Sequence, residues 1–84
     1  MAKKSKIDIF AERYPELELL KVDGFDDAVV GVELSTERVV YDADLMTDIL
    51  MQEGMEEIDA IDYLHYNVFN AYVGEKTPIY INQI

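Results

Sequence analysis

Residues 28–41, AVVGVELSTERVVY, hold two valine-rich runs separated by the polar pair Ser35-Thr36, and this local pairing constrains the chain more than any other feature. β-Branched side chains fit a pleated surface. Ala28–Leu34 therefore reads as one strand, and Glu37–Tyr41 as its partner across a short hairpin. Along the first run Val30, Val32 and Leu34 share one face, while Val29, Gly31 and Glu33 share the other. Gly31 inside such a run points to a bulge or to the close approach of another element. A hairpin must lay its apolar face on something, and the flanking segments supply the material.

Upstream, Ser5 followed by Asp8 resembles a capping box with Asp in place of Glu. Ile7, Phe10, Ala11 and Tyr14 then form a helical stripe, which Pro15 ends. Leu17–Val22 reads as a further strand, closed by an Asp23-Gly24 turn. Downstream, Asp42 caps a helix running to about Glu53, with Leu45, Met46, Ile49 and Leu50 as its inward stripe and Gly54 as its stop. Glu56 opens a second helix that extends to about Tyr72, with Gly74 beyond it. Its stripe is Ile61, Leu64, Val68 and Tyr72, with Ile58 and Ala71 beside them. Thr77–Asn82 is a last strand with Pro78 near its start. The expected fold is α+β, with residues 1–84 as a single acidic domain. A small antiparallel sheet of about four strands carries two central helices packed on one face and a short N-terminal helix. The expected core is Leu19, Val30, Val32, Val39, Leu45, Ile49, Ile61, Leu64, Val68 and Ile79.

Charge narrows the function. The net charge is −11, and Lys3, Lys4 and Lys6 crowd the start. From residue 7 onward four basic residues face eighteen acidic ones. Such a body repels phosphate backbones and anionic membranes. The expected partner is a protein with a basic surface, without direct nucleic-acid binding and without a membrane. Acid also serves simple solubility. No apolar run approaches a membrane span, and the start lacks an apolar signal region, so a cytoplasmic protein is expected. There is no cysteine, hence no thiol nucleophile or thiolate metal site.

The stretch YLHYNVFNAYVGEKTPIYI, residues 63–81, concentrates four of the six tyrosines and the single histidine. On a helix, Tyr63, Tyr66, Asn67 and Asn70 gather on one side, with His65 and Phe69 between that side and the apolar stripe. The aromatic-amide face reads either as a binding surface or as rings covering a core edge, with Asn67 and Asn70 tying down the turn at Gly74–Pro78. Glu53, Glu56, Glu57, Asp59 and Asp62 crowd the start of the same helix, either as a carboxylate strip aimed at a basic partner or as a solvated face. A rival catalytic reading takes His65 as general base with Asp62 behind it, but Ser5 and Ser35 are predicted far from it. The aspartates of DGFDD and YDAD lack the patterned spacing of a calcium loop, and turn and cap roles account for them. There is no GxGxxG and no P-loop. The chain is therefore expected not to be an enzyme, with no cofactor and no metal.

The segments GFDDAVVGV, VVYDADLMTDILMQEGMEE and YNVFNAYVGEKTPIYI together resemble small uncharacterised acidic proteins encoded by bacteriophages. The resemblance covers roughly Asp23–Ile81, with Glu56 standing where those proteins usually carry a capping Thr. It implies a viral setting in a host cytoplasm and no named reaction. The candidate binding residues are Glu56, Glu57, Asp59, Asp62, Tyr63, Tyr66, Asn67 and Asn70. The leading expectation is an accessory protein that binds another protein and blocks a basic or nucleic-acid-binding surface. The alternative is a small-molecule module on the Tyr/Asn face. A homodimer is a further expectation, with the helix over Ile7–Tyr14 packing on a second copy.

Overall fold

Strand β1 (Val29–Glu33) and strand β2 (Arg38–Asp42) form the expected hairpin in a computed structural model that describes residues 4–84. Lys3 lies outside the described residues. The strands pair antiparallel, with Val32 opposite Val39 and Glu33 opposite Arg38. Between Val29 and Gly31 the register slips, so the glycine-bearing run does carry a bulge. The bulge overrides the alternation expected along β1. Val29 pairs with Tyr41 and Val32 with Val39, which turns both toward one side, and Val29 is buried while Val30 is half-buried. Glu37 belongs to the connecting loop and not to β2, and it takes a left-handed conformation with φ 57°. The loop is organised by the Glu33 carboxylate, which accepts from the Ser35 hydroxyl (2.6 Å), the Thr36 N–H (2.7 Å) and the Thr36 hydroxyl (2.8 Å). The Ser35 and Thr36 hydroxyls hold that carboxyl below its ordinary value.

Helix α1 (Lys6–Arg13) starts where Ser5 Oγ accepts the Asp8 N–H at 3.3 Å. Ile7 is 2% exposed and packs in the chain's own core. Helix α2 (Ala43–Gln52) follows β2 directly, because Asp42 Oδ1 accepts the Leu45 N–H at 3.0 Å. Gly54, at φ 109°, lets the chain leave it. Helix α3 (Glu57–Leu64) has Glu56 as a cap without a side-chain bond, and it runs into a π-helical turn over His65–Phe69. Regular structure thus ends before Tyr72.

The buried row on α3 and its π-turn is Ala60, Leu64 and Val68. It shares Leu64 and Val68 with the expected stripe and takes Ala60 in place of Ile61. Ile61 is 39% exposed, and Ile58 and Tyr72 stand further out. The wide turn, whose bonds skip one extra residue, slows the angular drift that an i, i+4, i+8 row suffers on an α-helix. On α2, Met46 and Leu50 go inward and Leu45 is exposed.

The sheet has three strands, not four, in the order β1-β2-β3, and it is mixed, not antiparallel. Strand β3 (Ile79–Ile81) lies parallel to β2, with Tyr80 opposite Tyr41. The connection explains this. His65, just past α3, faces Ala43–Thr47 at the start of α2 across a groove, so the two helices run antiparallel. They return the chain to the end of β2 at which α2 began. Residues 70–78 then carry it to the opposite end, where the Thr77 carbonyl accepts Arg38 Nε–H and Lys76 Nζ reaches Glu37 at 2.8 Å. From there β3 must run the same way as β2.

Leu17–Val22 is not a strand. Leu19 and Val22 pack on the core, but the segment joins no ladder, and the Val22 N–H donates instead to the Tyr41 hydroxyl at 2.7 Å. Its exposed backbone can be satisfied by water. One cluster unites Val29, Val39 and Tyr41 of the sheet with Ile7, Phe25, Met46, Leu50, Ala60, Leu64 and Val68. Of the expected core, Val39, Leu64 and Val68 are in it, while Leu19, Val32 and Ile49 pack at its margin. Val30, Leu45, Ile61 and Ile79 are not buried.

Tyr41→Phe deprives the Val22 N–H of its partner and should lower stability by about 1–2 kcal/mol, read as a reduced urea midpoint with unchanged m-value. Burial raises the pKa of Tyr41 and of Tyr80. The folded state therefore keeps protons that the unfolded chain loses, so stability is complete below the ordinary tyrosine pKa and falls as pH rises past it. The midpoint of Tyr41→Phe should depend less steeply on pH in that alkaline range.

Leu64→Ala should cost about 2–5 kcal/mol and Ile61→Ala less than half as much. Equal losses in urea unfolding would contradict the observed helix phase.

Candidate functional site

Between Arg38 and Lys76 the sequence has no lysine or arginine, while it carries nine carboxylates. That span comprises both central helices, so the helical layer is anionic. The ion pairs among the described residues lie elsewhere: Lys4 with Glu12, Lys21 with Asp8 and Asp26, and Lys76 with Glu37. Glu56, Glu57, Asp59 and Asp62 are exposed, and none pairs with a basic side chain among the described residues. The first turn of α3 places Glu57 and Asp59 at the positive end of its dipole.

The core row Ala60-Leu64-Val68 divides the rest of α3 and its π-turn into two flanks and an outer crest. Asp62 and Tyr66 stand on the crest, with Tyr66 81% exposed. Tyr63 and Asn67 lie on the flank toward Leu20–Val22, where Asn67 lines a cavity of about 360 Å³ with Val68, Val73, Pro78 and Tyr80. Ile61, His65 and Phe69 lie on the flank toward α2 and β3, in a groove of about 460 Å³. The predicted residues are therefore all accessible, but they do not converge on one pocket.

The amides do work that differs from the one expected. Asn67 Nδ2 donates to the Tyr63 carbonyl at 3.1 Å, and Asn70 Nδ2 to the His65 carbonyl at 2.7 Å. Both tie exposed side chains back to backbone carbonyls where α3 passes into its π-turn. The turn they were expected to hold is built by Thr77, whose hydroxyl donates to the Gly74 carbonyl (2.6 Å) and accepts the Val73 N–H (2.9 Å). The i, i+4 spacing of Tyr63 and Asn67 is a legible signal for such a tie, though the π-turn itself leaves no mark in composition.

His65 packs edge-on against Phe69, ring centroids 5.1 Å apart, and no bond from Asp62 to its ring orients it. No group of three or more His, Asp or Glu side chains able to hold a metal occurs among the described residues. Asp26 and Asp27 form a 3₁₀ turn, and Asp42 caps α2. No described helix is long and apolar enough to cross a membrane. Groups that sequence reasoning missed are Thr47, Tyr80 and Ile81, which complete the groove walls.

No family model matches the chain, and neither a curated protein nor a solved structure shows significant similarity to it.

Asn70→Ala should leave the global urea midpoint within about 1 kcal/mol of wild type, since its bond is solvent-exposed. Amide exchange over residues 68–70 should accelerate, because the π-turn loses its side-chain tie.

Proposed function

We propose that this chain is a small accessory protein of bacteriophage type that acts in a host cytoplasm by occupying a basic surface of another protein, without catalysis and without a cofactor. One observation carries the reading: a two-helix layer that from Ala43 to Phe69 holds seven carboxylates and no lysine or arginine, with Tyr66 exposed among the acids. Unpaired like charges on one layer repel each other, and a cationic partner relieves that repulsion. Long-range attraction speeds encounter, and exposed tyrosine supplies flat contact area once the surfaces meet. A basic, nucleic-acid-binding surface is the kind such a layer would block.

A second reading rests on the 360 Å³ cavity beside β3, whose size suits a small apolar ligand. Of the Tyr/Asn set only Asn67 reaches it. Native mass spectrometry of the purified protein showing a bound metabolite, with no protein retained at low salt, would favour that reading.

Joint charge reversal of Glu56, Glu57 and Asp59 to Lys should slow association with a salt-labile partner captured from lysate by about tenfold or more and change dissociation little. An unchanged association rate would reduce the acids to a solvated face.

A further inference from the structure

The groove between α2, α3 and β3 combines apolar side chains with the polar Thr47, His65 and Asn82 and the acidic Asp44. Leu64 and Phe69 lie at its base, Ile61 and Ile81 on its walls, and Asp44 at its mouth. The apolar surface continues past it. Ile58 is 67% exposed one turn before Ile61, and Met51, exposed, lies one turn beyond Thr47 on the facing helix. Asp48 and Asp62, both exposed, stand on the outer crests of α2 and α3 beside the groove. Among the described residues no lysine or arginine lines the groove.

We infer that this groove receives an amphipathic helix of another protein, apolar on the face it inserts and lysine- or arginine-rich on the flanks that meet Asp44, Asp48 and Asp62. The inference deepens the binding proposed above and rests on it. Charge complementarity chooses the occupant. A purely apolar segment would leave these acids unanswered, and a second copy of this chain would bring carboxylates against carboxylates. The groove is bounded on two sides by antiparallel helices, so a third helix can lie along the seam and place side chains at i, i+3, i+4 and i+7 between Met51 and Phe69. Its volume of about 460 Å³ admits a few anchoring side chains, and the exposed Ile58 and Met51 extend the contact.

The test uses a fluorescent synthetic peptide of about fourteen residues, leucine on one helical face and lysine on the other, and a scrambled peptide of equal composition. Binding to the full chain at physiological salt is read by anisotropy and by dissociation rate. The amphipathic peptide should bind at least about tenfold tighter than the scrambled one, and Ile61→Ser should erase most of that preference by faster dissociation. Asp44→Lys, a surface change that leaves the core untouched, should do the same. Leu34→Ser at the hairpin loop and Asp27→Lys on the 3₁₀ turn should leave dissociation within about twofold. Equal binding of the two peptides overturns the groove while leaving a basic partner in place. So does loss of binding in Tyr66→Ser but not in Ile61→Ser. If neither peptide binds even at low salt, the basic partner falls with it.

Discussion

Tyr41 has no exposed surface, and a phenol in that position obliges its neighbours to account for both ring and hydroxyl. The ring fills the centre of the sheet, opposite Val29 on β1 and Tyr80 on β3, with the Tyr80 ring 5.9 Å away. The hydroxyl takes the Val22 N–H and so moors a segment that has no ladder of its own. The next residue, Asp42, is buried and caps α2. Two consecutive side chains thereby join the hairpin, the last strand, the upstream segment and the first central helix. The pleat accounts for the economy: adjacent residues of a strand point to opposite faces, so one enters the core while the other turns to the helix that follows.

What the sequence disclosed follows the range of the forces involved. Caps at Ser5 and Asp42, the glycine stop at Gly54, the hairpin and its bulge depend on residues a few positions apart, and they were legible. Leu17–Val22 has the alternation of a strand, but pairing needs a free edge in the right place, which the segment itself does not report. The direction of β3 depends on how far residues 70–78 travel, and that is a property of the assembled layer. On α3 Leu64 and Val68 are buried as their spacing implies, but Ile61 was expected where Ala60 is buried, because Ala60 offers little hydrophobicity and Ile61 offers much. Its neighbours chose the smaller side chain for the interior, and the π-turn kept Leu64 and Val68 in line with it. The candidate site was legible as a set of exposed acids and aromatics, but its division into a crest and two flanks was not.

The charge distribution and the fold are connected through the same layer. A helical pair without basic residues cannot use the i, i+4 ion pairs that commonly support exposed helices. Its stability must come from the buried rows and, on α2, from the Asp42 cap. The carboxylates are then free for interactions outside the molecule, and their mutual repulsion is a cost that burial of Met46, Leu50 and Leu64 has to offset.

Strand β3 enters the sheet late in the chain and beside a partner far from it in sequence: Ile79 sits opposite Val40, whereas β1 and β2 close across a short loop. Closing the longer loop costs roughly 2 kcal/mol more in chain entropy. The hairpin and the helical pair can therefore form before β3 has anywhere to dock, and β3 is the last strand to arrive. Being short and at an edge, it is also the first to leave in a local opening. When it leaves, Tyr80 and Ile81 go with it, and the groove loses a wall. A helix seated there would hold the strand in place, so the final step of folding and the act of binding draw on one set of contacts.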